Sequence, residues 1–335
     1  MLNMNSREKV IAAIEHRGRG RIPFSVSVHN SLAVHGKSLL DLLHQYPGDF
    51  YDPKILEIPE KSKLFEKSKY TDKWGCVWET ANILIAGAVT NHPLSDWNDF
   101  PNYKMPDIPK VGQKEIDAAE KTRESYPVWA GIDQFFQVMQ NIRGSEQLFV
   151  DFYTQPEEVQ KLIDRMLNEN HLPMLKEQLK LKPDIVGTGD DWGTQTSLLV
   201  NPEIWNAFFK PVYKKLAEVG HQAGAKIFFH TCGHTMEILE GLIEVGIDVV
   251  NPQMPTMDAG EYGRIARGRI TVFPDLNRQD ILLKGSPEDV KNHIIAMYDK
   301  LGTASGGLIG YVPIEPAMPI ENIQAMLETV SVYER

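Results

Sequence analysis

The sequence is short of cysteine, of excess positive charge and of long apolar runs, and each shortage removes a class of function. Its two cysteines, Cys76 and Cys232, stand far apart in 335 residues, so no structural disulfide is expected and a thiol or metal-ligand role stays open. Lys and Arg number 35 against 45 Asp and Glu, a net charge of −10. Without a basic block to neutralise phosphates, nucleic acid is not an expected partner. No stretch reaches the roughly 18 to 20 uninterrupted apolar residues of a membrane span. Residues 1–19 are charged and amphipathic, without the apolar middle of a signal peptide. A cytoplasmic protein with no membrane partner is expected. Neither G-x-G-x-x-G nor a P-loop occurs, which argues against an open, doubly wound nucleotide-binding sheet.

Apolar residues make up 42% of the chain, enough to bury the core of one large barrel or of two ordinary domains. Ser6 followed by REKVIAAIEHR reads as a capped amphipathic helix with Val10, Ile11 and Ile14 on one face, ended by Gly18 and Gly20. The run IPFSVSV (22–28) then reads as a strand ending at His29. From 31 to about 110 the pattern is irregular, and TDKWGCVWET (71–80) looks like a hairpin. This stretch is expected to be an elaboration on the main fold. Beyond it, VWAGI (128–132), DIVGTG (184–189), KIFFH (226–230), DVVNP (248–252), ITVFPD (270–275) and GLIGYV (307–312) are short apolar runs separated by helix-length segments. Such runs are expected of parallel strands covered by helices. Seven strands are visible, and an eighth can hide in the irregular region. The expected fold is α/β, a TIM-type (βα)8 barrel forming one domain over 1–335.

The apolar runs end in His29, Asp133, Asp190 with Asp191, His230 with Cys232, Asn251 with Gln253, and Asp275. Taken singly, a polar residue after a strand is most often a turn former or a helix cap. In a βα barrel, however, all strand ends open onto one mouth, so the residues at these six strand ends would converge. The sharpest signal is FFHTCGHTMEIL (228–239). On a strand, His230 and Cys232 point the same way and can share one ion, imidazole with thiolate suiting zinc. Packing at the barrel rim, with Gly233 permitting the turn, is the competing reading, and His234 is expected to be a solvated first-turn residue of the next helix. In GTGDDWGTQTSLL (187–199) adjacent aspartates face opposite sides. One of Asp190 and Asp191 is therefore expected at the mouth, with Asp191 favoured, and the other at a cap. These two and His29 are the candidate catalytic groups. Trp192, Gln195, Asn251, Asp275 and Tyr311 are candidate substrate contacts, and Trp74 and Trp78 are further candidate walls, for which ordinary core is the default.

With these motifs in view, GDDWGTQTSLLVNPEIWNAFFKPVYKKL, FFHTCGHTMEIL, RITVFPDLNRQDILLKGSPEDVKNHI and PIENIQAM together resemble the uroporphyrinogen decarboxylase superfamily, particularly its cobalamin-dependent methyltransferases. SREKVIAAIEHRGRGRIPF, TDKWGCVWE and NHPLSDWNDFPNYKMPD extend the resemblance over essentially the whole chain. It implies one βα barrel with an N-terminal elaboration. Uroporphyrinogen decarboxylase itself is a poor fit, because its arginine-rich segment after the first strand corresponds here to PFSVSVHNSLAVHG, which has no arginine. The methyltransferase branch implies zinc on a His-x-Cys and a late cysteine, and His230 and Cys232 match the first two.

The late cysteine is missing: the corresponding stretch reads GGLIGYVPIEPAMPIENI. Glu315 is the nearest replacement, with Asp190, Asp191 and Glu237 as the others. Fewer thiolates leave zinc more Lewis acidic, which suits polarising an ether oxygen more than activating a thiol. The resemblance thus implies zinc-assisted transfer of a methyl group from a small methylated donor, such as an aryl methyl ether, to cobalt. No D-x-H-x-x-G corrinoid motif occurs in the chain, so the cobalamin is expected on a partner corrinoid protein. A metal-independent decarboxylase and a non-catalytic corrinoid or small-ligand barrel are the competing readings.

Overall fold

The computed structural model describes residues 4–28, 30–50, 56, 68–80 and 87–334. The chain runs β1 (Phe24–Val28), β2 (Ser68–Thr71), β3 (Val77–Thr80), β4 (Ala88–Asn91), β5 (Trp129–Gly131), β6 (Ile185–Gly189), β7 (Lys226–Thr231), β8 (Val249–Pro252), β9 (Thr271–Val272) and β10 (Gly310–Ile314), with helices between them. No helix among the described residues is long and apolar enough to cross a membrane.

β5 to β9 form one parallel sheet in sequence order, and β1 pairs in parallel with β10. The two pieces join through residues 307–309. Val272 N donates to Gly307 O at 3.0 Å, and Ile309 N donates to Val272 O at 3.0 Å. A run of seven parallel strands follows, β5-β6-β7-β8-β9-β10-β1, curling as the α/β barrel that the strand pattern leads one to expect. Residues 48–50 lie against the outer edge of β1, with Asp49 N donating to Phe24 O at 2.7 Å. Phe50 then meets Trp129 of β5 with ring centroids 6.2 Å apart.

The period-two pattern sorts each strand. Ile185, Phe228, Val249, Phe273 and Ile309 face inward, while Val186, Ile227, Phe229, Val250 and Val272 join the larger core under the helices. Gly187 is an inward position at which a Cβ would come within 2.5 Å of the Trp129 indole, so only glycine leaves room for that ring. The bottom of the barrel is plugged by the helix Ser6–Ile14, whose Val10, Ala13 and Ile14 belong to the interior cluster. Its cap is Asn5 rather than Ser6: the Asn5 side chain accepts from Glu8 N and the Glu8 carboxylate accepts from Asn5 N. Gly307 N donates to Ala13 O at 2.9 Å, tying the plug to the strand before β10.

The stretch that reads as irregular begins with a helix, Leu32–Gln45, in which Leu32, Ala33, Leu39 and Leu43 are buried. Gly36, at φ +54°, breaks its regularity, which is why the helical period is hard to see. β2, β3 and β4 form an antiparallel sheet, and the turn between β2 and β3 is fastened to the barrel. Trp74 Nε1 donates to Asp133 at 3.2 Å, Lys73 pairs with the same carboxylate at 2.6 Å, and Tyr103 Oη donates to Trp74 O at 2.7 Å.

Candidate functional site

At the open end of the barrel the inward positions change from apolar to polar. Two residues beyond Phe228 comes His230, and two further Cys232; β8 supplies Asn251 at the register partner of His230. Asp191 lies in the loop after β6. One ligand atom from each of Asp191, His230 and Cys232 lies within 4.8 Å of the others. Cys232 Sγ is 3.3 Å and Asp191 Oδ1 3.5 Å from His230 Nε2.

The ring is held from behind. Asn251 Nδ2 donates to Phe273 O at 2.5 Å, so its carbonyl oxygen faces His230 Nδ1 at 2.7 Å. The Nδ1 proton is thereby committed to Asn251, and Nε2 is the ring atom that faces the sulfur and the carboxylate, where a metal ion would take the place of its proton. Burial opposes charge on His230, yet the facing Asp191 carboxylate, Cys232 sulfur and Asn251 oxygen raise its pKa to about 10. Asp191 is lowered: burial opposes its charge, but His230 outweighs it. The space between the three donors thus favours positive charge.

The loops carrying the donors are locked together by a glycine pair. Gly193 N donates to Cys232 O at 3.0 Å and His234 N to Thr194 O at 2.7 Å. A Cβ on Gly193 would lie 2.5 Å from Gly233 C, and Gly233 itself has φ +79°, so neither position accepts a side chain without moving the other loop. Gln253 Oε1 accepts from Gly233 N at 2.7 Å and braces the same turn.

The adjacent aspartates divide their work by parity. Asp190 is fully buried on the outer face, where it accepts from Tyr213 Oη at 2.6 Å, Gln137 N at 2.8 Å and Phe135 N at 3.1 Å. It caps the helix Phe135–Arg143. Burial pushes its pKa up to about 7 against those three hydrogen bonds.

Three other expectations are corrected. Glu315 is not among the clustered donors: it accepts from Arg278 at 3.0 Å, and its place beside His230 and Cys232 is taken by Asp191. Trp192 is not on the pocket wall but fully buried among helices, its ring stacked on Phe136 with centroids 3.9 Å apart. Asp133, one of the strand-end positions, is occupied with Lys73 and Trp74. Trp74 is buried, as is Cys76, whose thiol burial pushes up to about 12. His29 lies outside the described residues. His234 and Glu237 pair with each other at 3.2 Å.

Asp275 is 5% exposed and bonded to Arg278 at 2.8 Å. Burial raises its carboxyl, and the charges of Arg278 and His230 pull it down. Arg278 was not singled out by the sequence; its signal is the polar run NRQD directly after the strand-end Asp275. Tyr311 and Phe273 meet edge to face at 5.1 Å, and Phe273 meets Phe228 at 5.7 Å, forming an aromatic floor below the donors. Trp129, also inward, remains 41% exposed, which requires open space above that floor. Gln195 lies on the exposed loop after Asp191, at the edge of a cleft described below.

A barrel closed at one end by its N-terminal helix, with nitrogen, sulfur and oxygen donors at the other, defines an α/β barrel with a candidate metal centre at its mouth. The sequence profile of the uroporphyrinogen decarboxylase family matches residues 83–333, and the chain belongs to that family. Among solved structures, a methyltransferase from Methanosarcina mazei superposes with a TM-score of 0.69 at 13% identity, over 98% of each chain. A B12-independent methionine synthase from Shewanella sp. W3-18-1 gives 0.46 at 12% identity, over 91% of this chain and 85% of that one. At 13% identity the likeness to the Methanosarcina mazei protein speaks for the fold. Among curated protein sequences none matches the chain.

Proposed function

We propose that the protein is a methyltransferase that holds zinc at Asp191, His230 and Cys232. It moves a methyl group from a small methylated donor, an aryl methyl ether being favoured, to the cobalt of a corrinoid on a partner protein. The observation that carries this reading is the convergence of the three donors within 4.8 Å. It occurs at the mouth of a barrel whose fold is that of the Methanosarcina mazei methyltransferase. The donor set fits the ion: an imidazole that yields its Nε2 proton to the metal, a thiolate and a carboxylate are zinc ligands, and three of them leave a position for substrate. Zinc bound there supplies Lewis acidity toward the heteroatom that carries the methyl group.

The chain's own groups do the rest. Asn251, fixed by Phe273 O, keeps His230 in the tautomer that presents Nε2. Gln253 and the glycine pair hold Cys232 and Asp191 at one separation. Phe228, Phe273 and Tyr311 offer an apolar floor to the part of the donor that does not react.

Two competing chemistries are disfavoured by particular contacts. Cys232, His230 and Asn251 have the order of nucleophile, base and orienting group. Asp191, however, sits 3.5 Å from the imidazole and would repel a developing oxyanion, while Gly233 N is already spent on Gln253. A decarboxylase acting on a polycarboxylate needs free cations at the mouth. Arg278 there is already paired with both Asp275 and Glu315.

The test is elemental analysis followed by absorbance detection of methylcobalamin from cob(I)alamin and methoxybenzenes. About one zinc per chain, lost in His230→Ala, together with product formation is expected. Absence of transfer across a panel of methylated donors, with zinc present, would overturn the reaction assigned.

A further inference from the structure

Beside the donor cluster a cleft of about 490 Å³ opens between the loops that follow β6, β8, β9 and β10. Its lining includes four side-chain amides, those of Gln195, Gln253, Asn277 and Gln279. Among the described residues, the side chains of Gln195 and Gln279 make no hydrogen bond within the chain, and Gln253 and Asn277 use only their carbonyl oxygens. The charges in the cleft answer one another. Arg278 lies between Asp275 and Glu315 at 2.8 and 3.0 Å, and Asp280 holds Lys284 at 2.9 Å. Among the described lining residues no unpaired cation is left to receive a carboxylate or a phosphate, while several amide groups are left to exchange hydrogen bonds with a neutral polar ligand.

We infer that this cleft receives the amide-bearing rim of the corrinoid, the inference resting on the corrinoid reading above. The position follows from two shared residues. Gln253 lines the cleft and braces the turn after Cys232, and Asp275 lines it while its N donates to Pro252 O at 3.1 Å, on the strand that carries Asn251. A ligand edge seated there brings the body of the same molecule over the donors. The cleft admits an edge of the macrocycle, and that edge carries primary amides, which pair with the side chains of glutamine and asparagine in both directions. Its weakly negative balance rejects an edge carrying carboxylates.

The experiment is equilibrium dialysis of the zinc-loaded protein with cobinamide, which has the amides and lacks the nucleotide tail, and with a cobinamide whose amides have been hydrolysed to acids. Wild type is expected to bind the first and to bind the second at least about tenfold more weakly. Gln195→Leu combined with Gln279→Leu, both at exposed positions, removes two sets of neutral hydrogen bonds. The double variant should weaken cobinamide binding about tenfold and raise the KM for cob(I)alamin while leaving kcat and zinc content unchanged. Equal binding of amide and acid forms, or an unchanged KM in a double variant that still transfers methyl, overturns the cleft assignment and leaves the reaction standing. A wild type that neither binds cobinamide nor methylates cob(I)alamin overturns both.

Discussion

At the closed end of the barrel Val10, Ala13 and Ile14 of the plug helix lie against Ile185, Val249 and Ile309, and every one of these side chains is nearly inaccessible. At the open end the same inward rows continue into Asp191, His230, Cys232, Asn251 and Asp275. The backbone pattern does not change between the two ends; only the residue type does. The contrast teaches that one period-two register serves packing at the bottom and a cluster of polar donors at the top, so the two can be damaged separately.

The largest effect should come from the donors. His230→Ala and Asp191→Asn are each expected to release the metal and to lower methyl transfer by at least about a hundredfold, with an unfolding midpoint close to that of metal-free wild type. Metal analysis, absorbance assay and thermal denaturation check this together, and a retained metal with normal turnover in Asp191→Asn would sink the assignment of the third donor. The opposite pattern is expected for the core. Trp192→Ala, which empties the space against Phe136 and Phe209, should cost about 3–5 kcal/mol in urea denaturation while the folded fraction keeps its zinc. Between these extremes lies Asn251→Leu, which frees the His230 ring. Its metal affinity should fall about 10–100-fold by competition with a chelating dye.

Asp190 sharpens the comparison through pH. Its folded pKa, about 7, stands above the ordinary value of 3.8, so the unfolded chain loses this proton first. Asp190 therefore subtracts stability progressively as pH rises between about 4 and 7. Urea denaturation across that window should show a downward slope in wild type that Asp190→Asn lacks; parallel slopes would mean that the carboxylate is ionised in the fold. The smallest effect is expected for Lys73→Met, which breaks a half-exposed pair with Asp133 and should cost no more than about 1 kcal/mol.

Much of this contrast is legible in the sequence, because strand parity survives without knowledge of the neighbours. The His-x-Cys at the end of an apolar run and the opposed faces of Asp190 and Asp191 both follow from it. What parity cannot carry is partnership between loops. Glu315 has the right parity and the right place after β10, yet Arg278 arrives from the loop after β9 and takes it, a meeting of residues 37 apart in sequence. Trp192 follows two polar residues and so reads as a loop side chain, but the chain turns outward there and buries it. The helix Leu32–Gln45 is masked by Gly36, whose φ of +54° interrupts the period.

The glycine contact between positions 193 and 233 also bears on how this site can diversify. A population of variants selected for folding should retain glycine at both positions, because substitution at either drives one loop into the other. Gln195 and Gln279 stand on open surface and can vary at small structural cost. Two fixed points therefore hold the donors, and a tolerant border surrounds them. In laboratory evolution toward a new substrate, accepted substitutions should accumulate at that border, with the 193 and 233 codons returning unchanged round after round.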